Sequence, residues 1–421
     1  MIKTSRIALA SLALVVAGGI VVAPAAMAKK AEQAAAGAPG AVDPKNISKA
    51  VRPALMEAQK LEAAGDNAGA LAQLRTAEAL GNLNSTDVFF ISQMKLGLGN
   101  KLKDNAVLEE AIKASVDNEF LPPAEKPRYI KNLAALALQR NDYNAATKYY
   151  EQLSVLTPTD SDVLVNLSVL YARQKQNPQA IAALDKAIAA EKAAGQTPAE
   201  SLYRTQLKIA VDSKLAPQIE SASAELLKAY PNPVNWRDVL LTFRDGAKLD
   251  DQGNLDVFRL MQSAGSLNGE RDYAEFAETL IGKGLPGEAK TVLAEGVAKG
   301  MLSNSKSYVA EFNKSVASRI GPDRASLPGL DKESRASASG KSAFGLADAY
   351  FGYGDYAKAA EMYRLALTKG GVDVTTVNLR LGAALARAGD KAGATTALQS
   401  VKGGPRETLA GYWLIWVGQK A

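Results

Sequence analysis

The chain has 421 residues, 47% hydrophobic, 22% charged and 6% aromatic, a balance that supplies a core and excludes disordered and fibrous classes. It contains no cysteine and no histidine, which removes disulfides, thiol nucleophiles, imidazole bases, histidine-dependent serine triads and nearly every zinc or haem site. Fifty Lys and Arg against 44 Asp and Glu give a net charge of +6. Spread over so long a chain, this excess leaves no nucleic-acid footprint.

Residues 1–28 read as a signal peptide. Met1 to Arg6 is a short basic start, Ile7 to Ala23 is apolar, and Ala26-Met27-Ala28 supplies the small-x-small pattern cleaved before Lys29. The expected product is periplasmic or secreted; an uncleaved leader would instead tether the chain to a membrane. No other stretch is long and apolar enough to span one, so no membrane span remains after cleavage. Residues 29–46, rich in Ala, Gly and Pro, form a flexible lead-in. From Ile47 onward, segments of 10 to 15 residues carry apolar positions three and four apart and are separated by short Gly, Asp, Asn or Pro breaks. The spacing predicts an all-α chain of paired helices.

One pattern recurs along it. Leu133-Ala134, Asn141-Asp142-Tyr143, Ala146, Tyr150 and Pro158 are followed by Leu167-Ser168, Tyr171, Ala180 and Leu184. Leu346-Ala347, Tyr350, Gly354-Asp355-Tyr356, Ala359 and Tyr363 are followed by Leu381-Gly382, Gly389-Asp390, Ala394 and Leu398. Ala146 and Ala180 stand 34 residues apart, Ala359 and Ala394 stand 35 apart, and weaker copies fill the gaps. Trp236, Val239-Leu240 and Phe243 repeat the opening of the same pattern.

These residues resemble the tetratricopeptide repeat family, whose unit is a helix-turn-helix of about 34 residues. The resemblance implies a right-handed α-solenoid in which small residues let paired helices touch and the first helix of each pair lines a concave groove. On that frame residues 47–320 form an N-terminal array, 321–342 a linker or degenerate repeat, 343–404 a C-terminal repeat pair, and 405–421 a capping helix. Pro322, Pro328 and a Ser-Ala run mark the linker, and within 303–341 only a helix around Tyr308 and Phe312 is persuasive. Leu409, Tyr412, Trp413 and Trp416 would face the core from the cap, leaving Leu414, Ile415 and Val417 for a homo-oligomer or membrane contact.

The resemblance implies a binding protein, not an enzyme, with no cofactor and no metal: a scaffold holding another envelope protein or an extended peptide in its groove, in envelope assembly, polysaccharide export or secretion. Family members that grip a peptide carboxylate place Lys and Asn on one unit, Asn on the next, and Lys and Arg on a third. Here those places fall on Lys131 and Ala135, Asn166, then Arg204 and Lys208, and Ala135 departs from the pattern. A solvated polar face is the plainer reading of the same residues. Ser339-Gly340-Lys341-Ser342 lacks the strand and first glycine of a phosphate loop, and Ser303 with Lys306 lacks the companion motifs of acylating enzymes. The alternative function is a carboxylate-dependent carbohydrate-cleaving hydrolase, which needs two acids facing each other in a deep pocket, or a membrane-tethered assembly factor that keeps its leader.

Overall fold

The structure is a computed structural model that describes residues 42–419. The expected leader and residues 29–41 of the lead-in lie outside the described residues. Among the described residues there are α-helices, one short 3-10 turn and no strand. That turn, Pro44–Asn46, is capped by Asp43 and held by Arg52, whose guanidinium donates to three nearby carbonyls.

The chain divides between Thr197 and Pro198 into two units. The first comprises four hairpins: α1 (Arg52–Ala63) with α2 (Asn67–Ala79), α3 (Ser85–Leu102) with α4 (Asn105–Val116), α5 (Lys126–Gln139) with α6 (Tyr143–Leu156), and α7 (Ser161–Arg173) with α8 (Asn177–Ala193). The second opens with α9 (Glu200–Asp212), α10 (Ala216–Ala229), α11 (Pro233–Gly246), α12 (Asp251–Ser263), α13 (Glu270–Gly282) and α14 (Pro286–Ala298). It then runs through the single long α15 (Ser307–Ala336). Two more hairpins follow, α16 (Lys341–Gly352) with α17 (Tyr356–Lys369) and α18 (Val374–Arg387) with α19 (Lys391–Gln399), and the last helix is α20 (Gly404–Gln419).

The recurrent turn has a local cause. A residue in the left-handed region ends the first helix and the next residue, an Asp, caps the second: Asn141 (φ 58°) before Asp142, and Gly354 (φ 79°) before Asp355. The Asp142 carboxylate accepts from the Ala145 amide, while its own N–H donates back to the Ala137 carbonyl at 2.9 Å. Packing then explains the small residues. Ala146, Ala180, Ala359 and Ala394 are fully buried where partner helices cross, and a Cβ added to Gly382 would stand 2.5 Å from the Leu398 side chain.

Residues 321–342, expected to be a linker or degenerate repeat, are helical as far as Ala336. Both prolines are exposed, so the carbonyls that lose a partner face water, and the fixed proline φ suits the helix. The opposite side of α15 buries Val309, Val316 and Leu327, and Tyr353 reaches it by donating to the Asp323 carboxylate at 2.6 Å. Helix α20 covers α18 and α19 and also packs on α10 and α12. Val417, expected to be surplus, is buried with Trp413 and Trp416, while Leu414 and Ile415 remain half-buried.

Two glycines give opposite expectations. Gly382→Val should lower stability by about 1–3 kcal/mol through overpacking against Leu398. Gly329→Ala, on the open side of α15 with nothing within 4 Å, should raise it by about 1 kcal/mol. Urea unfolding of the two variants beside the parent measures both shifts.

Candidate functional site

The four residues expected to bind peptide fall in both units. Lys131 is exposed on α5, with Ala135 half-buried one turn on. Asn166 is half-buried on α7, its amide donating to the Asp162 carbonyl at 2.7 Å. On the same side of α7, Val165 is half-buried and Val169 is 39% exposed. Tyr171, which closes that run, points elsewhere: its hydroxyl donates to Glu151 of α6 at 2.8 Å, and burial together with that carboxylate pushes it up to about 12.

Arg204 and Lys208 stand on α9 of the second unit. Arg204 donates to Asn235 and, at 2.7 Å, to Asp238, both on α11, and Lys208 pairs with Asp212 one turn along its own helix. These exposed pairs are worth roughly 0–1 kcal/mol each, so an external carboxylate can exchange for them.

Sequence reasoning missed a charged cluster inside the second unit. Arg380 of α18 donates to Asp256 of α12 at 2.7 Å and to Asp348 of α16 at 2.6 Å. Arg259 of α12 donates to Asp348 at 3.0 Å and to Glu288 of α14 at 2.7 Å. The Tyr363 hydroxyl completes the shell of Asp348 at 2.6 Å. The rings of Phe351 and Phe344 lie against Arg259 and Arg380. All five charged side chains are buried.

The cluster is the centre of a longer contact. Arg380 also takes the Gln252 side chain, Arg387 donates to the Ser263 hydroxyl at 3.0 Å, and the Trp416 indole donates to the Ser263 carbonyl at 3.0 Å. Arg406 holds the capping carboxylate of Asp250 at 3.0 Å. Gln252, Asp256, Arg259 and Ser263 are spaced four, three and four apart, one stripe of α12. The first helices of the C-terminal pair, α16 and α18, together with α20, therefore grip α12 along its length, in the manner of a groove closing on an amphipathic helix. A hint was present in the sequence: Asp256 and Arg259 interrupt the apolar run Leu255 to Met261, where a charge needs a partner.

Charge arithmetic separates the acids. Two arginines face three carboxylates, and Asp256 Oδ2 has no hydrogen-bond partner. Burial pushes Asp256 up despite Arg380 and Arg259. Burial also works against ionised Asp348, but the same two arginines and the Tyr363 hydroxyl overcome it and hold that carboxyl down.

Asp256→Asn should accordingly change stability by no more than about 1 kcal/mol at neutral pH, because Asn still accepts from Arg380 and removes the excess charge. Asp348→Asn removes the one carboxylate that both buried arginines share, leaving each with a single acid, and should cost about 3–5 kcal/mol. The Asp348 contribution is fully present above its unfolded pKa of about 4 and is lost as pH falls through its depressed folded value. Urea unfolding of both variants from pH 7 down to pH 3 reads the difference, which should narrow toward the acid end.

The family model for tetratricopeptide repeats matches residues 132–196 and 342–406. Among curated proteins none matches the chain. Solved structures overlap it loosely. A tetratricopeptide repeat protein from Parabacteroides merdae is 10% identical, with 80% of this chain and 100% of that one covered at a TM-score of 0.26. A thermophilic TPR protein of Thermus thermophilus is 15% identical, with 47% and 98% covered at 0.21. The P58(IPK) TPR domain is 15% identical, with 88% and 99% covered at 0.22. Scores of this size carry no inference. The sequence match stands without them: α5 to α8 in the first unit and α16 to α19 in the second are tetratricopeptide repeats.

Proposed function

We propose that the protein is an exported scaffold that binds another polypeptide, and that recognition falls to the α5 and α7 surface of the first unit. One observation supports the choice above others: the corresponding helices of the C-terminal pair, α16 and α18, are already occupied by α12. On α5 and α7, by contrast, Lys131 is exposed, and the half-exposed Val165 and Val169 beside Asn166 offer apolar contact next to a cation and an amide. Such a surface suits an extended segment with an acidic group, the Asn pairing with backbone and the Lys with charge. Envelope assembly, polysaccharide export and secretion are the settings in which an exported scaffold of this kind would act.

The hydrolase alternative draws no support from the charged cluster. Its acids face arginines, and all are buried beneath α12, α16 and α18. No helix among the described residues is long and apolar enough to cross a membrane.

The double variant Lys131→Glu/Asn166→Ala should weaken a crosslinked, co-purified envelope partner at least about tenfold, with no change in urea midpoint. Unchanged affinity would exclude this surface. Export has its own check: intact mass of protein recovered from the native envelope should correspond to a chain starting at Lys29, and a Met1 start would remove the soluble, exported reading.

A further inference from the structure

The outer side of α10 and α20 has a composition that the protomer does not explain. The two helices run side by side in the same direction, since Thr408 donates to Glu220 at one end and Gln419 donates to the Leu227 carbonyl at the other. Between them lies a shallow groove lined by Ala224, Gly411, Leu414, Ile415 and Gly418. Gly411 is inside a helix, where it costs about 1 kcal/mol relative to alanine, and Gly418 stands in the last turn of the same helix. Neither has the positive φ that would call for glycine, and nothing lies within 4 Å of a Cβ at either place. Internal packing therefore does not require them, whereas close approach of another backbone would.

Charge identifies the other body. Glu220, Ala224 and Lys228 lie four apart on one face of α10, so an acid and a base close the two ends of the groove, about 12 Å apart along the helix. Both are exposed, and neither forms an ion pair among the described residues. A two-fold axis through the apolar middle, near Ala224, turns this pattern onto itself. It sets Glu220 of each copy against Lys228 of the other, and brings the Leu414 and Ile415 faces of the two copies together between the glycines. An isologous interface demands this kind of self-complementarity.

We propose that the protein forms a two-fold homodimer through the α10 and α20 groove, with reciprocal Glu220 to Lys228 pairs at its ends. This surface lies in the second unit and stands independently of the peptide-binding reading of α5 and α7.

Sedimentation equilibrium of the full purified chain tests it. The parent should dimerise. Glu220→Lys and Lys228→Glu should each weaken self-association at least about tenfold, because each variant puts like charges at both ends of the interface. Mixed in equal amounts, the two variants should form a heterodimer with near-parental affinity, since every end pair is then opposite in sign. That rescue also establishes that both variants fold. A monomeric parent at about 200 μM, variants that associate like the parent, or a mixture that stays monomeric overturns the proposal. So does a monomer that uses the groove to capture a different protein.

Discussion

Two helix axes reach the close end of their usual 8–10 Å separation only where the residues at the contact are small, and this chain meets that requirement with buried alanines at Ala146, Ala180, Ala359 and Ala394 and with glycine at Gly382. Everything larger is placed by them. Tyr150 and Leu153 fill the space beside Ala146, and Tyr363 and Ala366 do the same beside Ala359. Because a hairpin packed this closely still has apolar surface on both flanks, it is stable only with a neighbour, and the aspartate-capped turns fix the direction in which that neighbour must lie.

Helix α15 changes what the neighbours are. Being a single helix between hairpins, it leaves α14 in direct contact with α16, where Gly352 lets the Glu288 backbone come close enough to crowd any Cβ. The first helices of the C-terminal pair then meet α12 and α14, which are second helices of theirs. The charges at that meeting fix register more than they add stability. A buried ion pair recovers little beyond its desolvation cost, yet any slip of α12 by one residue would leave Arg259 or Arg380 buried and unpaired.

Hairpins were legible because their causes are local: apolar positions three and four apart, a left-handed residue, then Asp. The long α15 was half legible. Tyr308 and Phe312 announced its start, but Pro322 and Pro328 read as breaks because a proline's effect depends on whether its side of the helix meets water, which a sequence does not display. The charged cluster was hidden for a different reason. Arg380 finds Asp256 across 124 positions and Asp348 across 32, far beyond the three or four over which helical charge pairs can be read. Taken alone, Asp348 and Arg380 each look like one more charge on a solvated face, and Asp256 shows that it needs a partner without showing which. The peptide residues met the reverse difficulty: Arg204 fits a ligand frame, but its partners on α11, Asn235 and Asp238, became visible only once α9 and α11 were placed.

The two kinds of polar contact differ in whether they can be exchanged. Within the buried cluster the partners are dry, every carboxylate oxygen has its place filled except Asp256 Oδ2, and opening the contact would return several charges to a half-paired state. On α9 the ion pairs of Arg204 and Lys208 stay wet and are individually weak. A repeat protein built this way commits the first helices of one repeat pair, α16 and α18, to its own chain, where permanence is useful.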